Sequence, residues 1–416
     1  MTSATPVSSA APQLSLRVRR VEGAPVVAAR LWLWGGSRLE EIPGQSLVTG
    51  RLLTEGSRRR DYRRIALDAE ERGMLVQSTS ASDFLGVSIE SLAGDWELTL
   101  DSLAELALEP TFPEERLQWI CRQASAELES LLDQPEARTS CFFLDQLYHP
   151  HPYGRPVQGL PTSLSELTPE HCADFHRQAL AWGGCVVVAG DIDEDSVMDR
   201  LRSLFSELPS AAELPEIPMP AGRDEHHREI ILPKSEQAHL YAGHLTVRRN
   251  EPNQAALKLA GIVIGGSMSG RLPERIRDQE GLAYNVDIAV AMGAGLEPGR
   301  LAIYAGVSGD SVARVEAVIR EELQRLVDDG VTHEELEDAR SFFLGRDPFY
   351  RETAGQWTGL MAESELYGLP VDRPEWVSET VGAITKDDVE EAARRWLDPK
   401  HLRLTVGLPQ DRTRSE

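Results

Sequence analysis

The feature that most limits the possible folds of this chain is an internal repeat. Several helix starts, strand ends and turns recur at a spacing of about half the chain length. The recurring pairs are Thr168 with Thr385 and Gly190 with Gly407, each 217 residues apart, and Gly73 with Gly281, 208 residues apart. Each threonine precedes a helical segment, and each glycine ends a strand or a turn. Matching spacings with matching turn chemistry predict two homologous domains.

Strands precede helices within each half, which predicts an α+β fold. We expect each domain to be a mostly antiparallel sheet with helices packed on one side. The predicted domains cover residues 14–207 and 226–412. Between them, residues 208–225 carry four prolines and no hydrophobic periodicity, which indicates a linker. Residues 1–13 are polar and lack the apolar stretch of a signal peptide, which predicts a disordered tail.

The chain has 416 residues and a formal net charge of −24. Because phosphate groups would be repelled, this charge argues against a general nucleic-acid binder or a protein of anionic membrane surfaces. The four cysteines form no C-x-x-C pair and predict reduced thiols. No apolar run approaches the roughly 20 residues that a transmembrane helix needs. We therefore expect a cytoplasmic protein.

The segment with the most distinctive pattern is residues 265–284, which read GGSMSGRLPERIRDQEGLAY. It places Arg277 and Tyr284 on either side of a glycine turn. The segment resembles the C-terminal motif of the pitrilysin/insulinase family of zinc metallopeptidases, in which R-x-x-x-G-L-A-Y follows a glycine-rich stretch. Three further segments are similar to that family, namely YHPHPYGRPVQG (148–159), GVTHEELE (330–337) and LYGL (366–369).

The resemblance extends over nearly the whole chain and implies how the domains are used. In this family two such domains form half of a clam shell, and two halves enclose a chamber in which peptides are cut. The glycine-rich segment is similar to that of the branch that includes mitochondrial processing peptidase. In that branch a non-catalytic subunit belongs to the enzyme, which bears on the role of this chain.

The positions of the family's metal ligands have changed in this chain. The active half of the family binds zinc through two histidines of an H-x-x-E-H helix, whose glutamate polarises the attacking water. Here Leu47, Gly50 and Arg51 stand at the positions of the first histidine, the glutamate and the second histidine. The third-ligand position falls at Glu127, which could pair with Arg51. One carboxylate beside a cation cannot hold zinc, so we expect no metal in this chain and zinc in a partner subunit.

The resemblance gives Arg277 and Tyr284 a role in a shared active site. It implies that they bind the peptide near the scissile carbonyl, from the half opposite the zinc. A tyrosine hydroxyl stabilises the negative charge that develops on that oxygen, and a guanidinium can hold a carbonyl or carboxylate. From spacing alone, the two residues also fit a surface salt bridge and a half-buried strand aromatic.

The glycine-rich turn at Gly265, Gly266 and Ser267 leaves two interpretations open. It resembles the glycine-rich loop of the non-catalytic subunit of mitochondrial processing peptidase, which implies a role in substrate binding. The same residues also fit the end of one helix followed by the start of the next. The pattern by itself does not separate the two.

The sequence therefore predicts the non-catalytic subunit of a bacterial heterodimeric zinc peptidase. It would bind a peptide substrate and supply Arg277 and Tyr284 across the interface to a homologous H-x-x-E-H subunit. Two alternatives remain. The chain could be an inert structural or peptide-binding scaffold of the same fold. It could also serve in the maturation of a peptide-derived natural product rather than in peptide degradation.

Overall fold

The computed structural model describes residues 14–209 and 211–410. The first half of the described chain forms five strands and eight α-helices. In chain order these are β1 (Leu14–Arg20), β2 (Val26–Trp34), α1 (Gln45–Leu52), α2 (Tyr62–Arg72), β3 (Leu75–Ser80), β4 (Phe84–Leu92), α3 (Trp96–Leu108), α4 (Glu114–Asp133), α5 (Pro135–Tyr148), α6 (Pro161–Leu164), α7 (Pro169–Trp182), β5 (Gly184–Gly190) and α8 (Glu194–Leu204).

The second half adds five strands and seven α-helices to the described part of the chain. These are β6 (His227–Leu232), β7 (Ala238–Leu245), α9 (Gln254–Gly261), α10 (Arg271–Pro273), β8 (Ala283–Met292), β9 (Arg300–Val307), α11 (Val312–Asp329), α12 (His333–Arg346), α13 (Ala354–Tyr367), α14 (Pro374–Ala383), α15 (Lys386–Trp396) and β10 (Arg403–Pro409). Two π-helical segments, Ile262–Gly266 and Glu274–Gln279, flank α10.

The two sheets have the same topology. The first runs β1-β5-β2-β4-β3 and the second runs β6-β10-β7-β9-β8. In each sheet the pair at one edge is parallel, β1 with β5 and β6 with β10, and the other pairs are antiparallel. Strands β3 and β8 lie at equivalent edges. The predicted α+β fold with two related domains is confirmed.

The repeated helix starts have a common local cause. The Thr168 hydroxyl accepts a hydrogen bond from the His171 amide at the start of α7. The Thr385 hydroxyl accepts one from the Asp388 amide at the start of α15. Such caps satisfy backbone donors that have no partner within the helix, so the two threonines fix equivalent helix starts in the two halves.

The chain divides into two compact units whose segments are discontinuous in sequence. The first unit comprises residues 14–125, 157–217 and 351–368, and the second comprises 126–156, 218–350 and 369–410. These units differ from the contiguous domains predicted at 14–207 and 226–412. The cause is packing, since α13 lies against β2 and β5 while α5 lies against β7 and β10.

Each sheet buries one face and the central part of the other. In the first unit, Leu31 and Val186 face the core beneath α1, α3, α7 and α8, whereas Ala28 and Val187 face α13. The second unit repeats this arrangement, with α5 against the second face of its sheet. The helices therefore lie mainly on one side, as predicted, and a single helix covers part of the other side.

The remaining boundary predictions concern irregular segments. Residues 211–225, within the predicted linker, contain no helix or strand. The predicted disordered tail at 1–13 lies outside the described residues, as do the last two residues of the predicted second domain. Among the described helices, none combines the length and the apolar character that crossing a membrane requires.

Candidate functional site

The segment 265–284 lies entirely in the second unit, between α9 and β8. Gly265 and Gly270 in the segment, and Gly261 at the end of α9, allow close packing against neighbouring residues. A Cβ atom on Gly261 would lie 2.3 Å from Val290, one on Gly265 would lie 2.3 Å from Ile288, and one on Gly270 would lie 2.4 Å from the Gly265 Cα. Real Cβ atoms do not come this close, so the glycines are required by packing. Gly281 then turns the chain into β8 with a φ of +62°.

Strand β8 carries Tyr284 at a β-bulge. Ala283 pairs with Val307 and Val286 pairs with Ala305, so β8 has one residue more than β9 in this interval. A bulge bends the strand and changes the direction of its side chains. The Tyr284 side chain is 94% exposed, although the residue before it is buried. The edge of the sheet therefore holds this phenol in solvent.

Arg277 lies on the π-helical segment Glu274–Gln279, next to Tyr284. Its Nε and Nη2 donate to the two carboxylate oxygens of Asp278, at 2.8 and 3.0 Å. These hydrogen bonds raise the pKa of the Arg277 guanidinium, and the nearby Tyr284 phenol acts in the same direction. They also hold the pKa of Asp278 below its usual value. The predicted pair of Arg277 and Tyr284 is thus brought together on one surface.

A group of ion pairs fixes this segment to helix α11. Arg275 donates to Glu322 at 2.6 Å, to Glu280 at 3.2 Å and also to Glu321. Glu322 is only 3% exposed, and Arg275 is its nearer cation, since the Arg325 Nη1 lies 3.7 Å away. Arg314 then binds both oxygens of Glu280, at 2.7 and 2.8 Å. These contacts hold both ends of the helical turn that carries Arg277.

A second ion pair holds the start of the segment. Arg271 donates to both oxygens of Glu335, at 2.7 and 2.8 Å. Glu335 also accepts from the Thr332 amide in the capping box of α12. Partial burial raises the pKa of Glu335, but the hydrogen bonds from Arg271 and Thr332 outweigh it and lower the pKa to about 2. The carboxylate is therefore charged at any physiological pH.

The altered metal-ligand positions lie in the first unit, on α1. Leu47 and Gly50 are buried, and Arg51 is half-buried. Leu47 and Arg51 line a pocket of about 270 Å³ together with Ser78, Thr79 and Ser80 of β3. One leucine, one arginine and three hydroxyl side chains do not match the nitrogen, sulfur and carboxylate ligands that zinc prefers. This pocket does not fit the zinc ion of the family.

The remaining candidate ligands are dispersed. Glu127, at the predicted third-ligand position, is exposed on α4, and its pairing with Arg51 stays a prediction. His149 and His151 lie in the turn after α5, where the His151 Nδ1 accepts a hydrogen bond from the Tyr153 amide. Across residues 14–209 and 211–410, no three His, Cys, Asp or Glu side chains are grouped so that they could bind one metal ion.

The glycine-rich turn shows how helix and loop alternate before Arg277. Helix α9 passes into the π-helical segment that ends at Gly266, Ser267 is extended, and Gly270 precedes α10. This is the helix end followed by a helix start that the pattern allows. The role of Gly265, Gly266 and Ser267 in substrate binding stays a prediction.

The sequence patterns did not identify every residue of this site. Met268 is 73% exposed, and its Sδ lies 3.7 Å from the Arg277 Nη1. Arg271 and Arg275 act as anchors, but their acidic partners are distant in sequence. The sequence contained one signal for these anchors. The capping box at Thr332–Glu335 marks Glu335, whose carboxylate can also accept hydrogen bonds from an arginine.

Two models of one family match the chain. The model described as Insulinase (Peptidase family M16) matches residues 18–159, and the model described as Peptidase M16 inactive domain matches residues 167–343. The chain belongs to peptidase family M16. The resemblance based on the motifs is thereby confirmed. Arg277 and Tyr284 lie within the match to the M16 inactive domain, and the altered ligand positions lie within the other match.

Individual M16 relatives match along most of the chain. An uncharacterized zinc protease of Mycobacterium leprae is 27% identical over 383 residues, which are 91% of this chain and 86% of the relative. YmxG of Helicobacter pylori, a non-peptidase homolog, is 24% identical over 333 residues, which are 79% of this chain and 76% of the relative. With its altered ligand positions, this chain is an M16-like homologue of the inactive kind.

A solved structure supports the fold. The crystal structure of a peptidase M16 inactive domain from Pseudomonas fluorescens has a TM-score of 0.86 to this chain, at 24% identity and 96% coverage of both chains. At this level of identity the likeness concerns the fold alone. This likeness agrees with the two five-stranded sheets of equal topology described above.

Proposed function

We propose that this M16 chain is the non-catalytic subunit of a heterodimeric zinc peptidase. It binds a peptide segment and supplies Arg277 and Tyr284 to a homologous partner that carries H-x-x-E-H and the zinc ion. The observation that carries the proposal is the position of Tyr284, which is 94% exposed at a bulge of an edge strand. A side chain held in solvent on a rigid strand adds little to folding and is available to a second molecule.

The altered α1 position supports a division of labour between two chains. Leu47, Gly50 and Arg51 provide neither the ligands nor the general base of a zinc peptidase, whereas Arg277 and Tyr284 are kept. A zinc ion bound by the partner would polarise the attacking water. A chain without the ligands but with the substrate-binding residues is useful when another chain completes the site.

The chemistry required of Arg277 and Tyr284 follows from peptide hydrolysis. Attack on the scissile carbonyl places negative charge on its oxygen, and an O–H group aimed at that oxygen lowers the barrier. Tyr284 can donate such a bond from its exposed hydroxyl. The hydrogen bonds to Asp278 use the Nε and Nη2 of Arg277. Its Nη1 can therefore donate a hydrogen bond to a neighbouring main-chain carbonyl. The ion pairs of Arg275 and Arg271 hold both residues in place before the peptide binds.

Reconstitution with a partner tests this proposal. The chain would be purified alone and with a homologous H-x-x-E-H subunit, for which the neighbouring gene is the first candidate, and peptide cleavage would be measured. We expect no cleavage by the chain alone and cleavage by the pair. Tyr284→Phe should lower kcat of the pair by about 10²–10³-fold, because one transition-state donor is lost. Arg277→Ala should lower kcat/KM through weaker peptide binding.

A matched control distinguishes the site from general surface effects. Tyr350 is also an exposed tyrosine of the second unit, at 53% exposure. Tyr350→Phe should leave cleavage unchanged, and neither tyrosine variant should change the melting temperature. Cleavage by the isolated chain would contradict the proposal, as would full activity of the pair when both Arg277→Ala and Tyr284→Phe are present.

The second candidate is a scaffold that takes no part in catalysis. It is favoured by one observation, the similarity to a non-peptidase homolog of Helicobacter pylori. A scaffold would form stable complexes in which Tyr284→Phe and Arg277→Ala have no effect on any activity. The same experiment therefore separates the two candidates. Peptide degradation and maturation of a peptide-derived product would be separated by the partner's substrates.

The free thiols of all four cysteines fit the reducing cytoplasm.

A further inference from the structure

The two most exposed large apolar side chains among the described residues belong to the same site. Tyr284 is 94% exposed and Met268 is 73% exposed. Arg277 joins them, since its Nη1 lies 3.7 Å from the Met268 Sδ and its guanidinium interacts with the Tyr284 phenol. Exposed apolar side chains that cluster in this way are typical of a binding surface. Met268 follows the glycine-rich turn, and because it is so exposed, burial in the core does not explain why this position is apolar.

The charge of Arg277 is already balanced within the site. Asp278 accepts two hydrogen bonds from its guanidinium, at 2.8 and 3.0 Å, and is itself about half exposed. Only Nη1 is turned away from this carboxylate, towards Met268. An incoming carboxylate would meet Asp278 as well as Arg277 and gain little net attraction. A neutral carbonyl group can accept from Nη1 without this repulsion.

We propose that Met268, Arg277 and Asp278 form a specificity subsite that selects extended peptide segments with an apolar side chain and discriminates against acidic ones. Met268 contacts the apolar side chain, and Arg277 donates to an adjacent main-chain carbonyl. Asp278 excludes carboxylates. Methionine suits this contact because its flexible thioether adapts to side chains of different shapes. The inference deepens the proposed function and rests on it for the identity of the ligand as a peptide.

The experiment measures binding of blocked fluorescent peptides to the isolated chain by anisotropy. The peptides carry no terminal charges and differ at one position, which is Leu, Ser or Asp. We expect the Leu peptide to bind about tenfold more tightly than the other two, as a single apolar contact allows. Met268→Ser should abolish this preference, and Met268→Leu should keep it. Asp278→Asn should strengthen binding of the Asp peptide by about tenfold relative to the Leu peptide, because the repulsion of carboxylates is removed.

A methionine at the end of β8 serves as the matched control. Met292 is 47% exposed at the other end of the strand. Met292→Ser should therefore leave all three affinities unchanged. Equal binding of the three peptides, or no binding of any, would overturn the subsite. An unchanged preference in Met268→Ser would also overturn it. If Met268→Ser weakens association with the partner subunit instead, the apolar surface belongs to that interface and the proposal is wrong.

The outcome can be separated from that of the proposed function. Cleavage by the reconstituted pair is measured independently with the same three peptides. A pair that cleaves none of them contradicts the proposed function. A pair that cleaves all of them at equal rates, with no preference in binding, contradicts only the subsite.

Discussion

The two halves of the chain build the same sheet but differ in the segment that leads to its edge strand. In the first half, Leu47 and Gly50 are buried on α1, beside a pocket whose lining has no metal ligand. In the second half, Met268 and Tyr284 are the most exposed large apolar side chains of the described residues. The segments that lead to the two edge strands of one repeated fold thus differ in the side chains that they expose.

The difference shows which half keeps groups that do not serve folding. Burial and packing explain Leu47 and Gly50 of the first segment. They do not explain exposed apolar side chains around a paired arginine. The second segment is anchored by two arginines, since Arg275 and Arg271 bind four carboxylates of α11, α12 and the turn. Rigid support beneath exposed polar and apolar groups is typical of a binding site.

The largest expected effect is on the anchors of the second segment. Arg275→Ala removes the nearest cation of Glu322, which is 3% exposed, and leaves only the more distant Arg325, whose Nη1 lies 3.7 Å from it. The free energy of unfolding should fall by about 3 kcal/mol, because a poorly compensated buried charge is costly and the contacts of Arg275 with Glu280 and Glu321 are lost as well. Arg314→Ala removes an exposed arginine that binds Glu280, and should cost less than about 1 kcal/mol. Urea denaturation measures both losses. Equal losses would show that Arg275 is not the anchor of the segment.

The next largest effect is expected on zinc affinity, when the missing metal ligands are restored in the first segment. The triple variant Leu47→His, Gly50→Glu and Arg51→His recreates H-x-x-E-H on α1, where positions 47 and 51 line one pocket. Zinc affinity should increase on the order of 100-fold, because two histidines at this spacing share a helix face. Isothermal titration calorimetry measures it. The double variant that retains Arg51 should bind no more zinc than the wild type. If it binds as well as the triple variant, the assigned ligand positions are wrong.

A glycine in each segment gives a smaller and directly comparable effect. A Cβ on Gly270 would lie 2.4 Å from the Gly265 backbone, whereas one on Gly50 would lie 3.3 Å from the Thr79 carbonyl oxygen. Gly270→Ala should therefore cost about 2 kcal/mol. Gly50→Ala should change stability by less than about 1 kcal/mol, since alanine favours the helix. Thermal unfolding compares them. A larger loss for Gly50→Ala would mean that the first segment is the more tightly packed of the two.

The smallest effect depends on pH. The folded-state pKa of Glu335 is lowered to about 2, below its value in the unfolded chain, so its charge stabilises the fold above the unfolded pKa. Glu335→Gln should cost about 1 kcal/mol at neutral pH. That cost should shrink as the pH falls from about 5 towards 2, as the wild type loses the same contribution. Stability curves of both proteins test this. A difference that is constant with pH would exclude the ion pair as its cause.

Much of the fold follows from local sequence patterns. Apolar residues alternate along Phe84–Leu92, as is typical of a strand, and β4 has these bounds; Thr168, Thr332 and Thr385 all cap helices. Alternation of apolar residues and side-chain caps act over a few residues, so a linear pattern is sufficient to detect them.

Helices α5 and α13 are not among the elements that the sequence patterns predict. Their buried faces include Thr139 and Gln146 on α5, and Thr358 and Ser364 on α13. The polar atoms are satisfied by specific partners, as when the Thr405 hydroxyl donates to the Gln146 side chain. A helix that buries polar groups in this way shows no simple apolar stripe, so its existence and its place in the units depend on tertiary contacts.

The sequence by itself determined the repeated α+β design, the altered positions Leu47, Gly50 and Arg51, and the residues Arg277 and Tyr284. These depend on residue identity and spacing. Only the tertiary structure decided that α5 and α13 belong to the units they do, that a bulge turns Tyr284 into solvent, and that Met268 lies beside Arg277. The same holds for the contacts of Arg275 with Glu321 and Glu322, which are 46 and 47 residues away. Such contacts arise only when the sheet and helices pack, because packing brings distant residues within hydrogen-bonding distance.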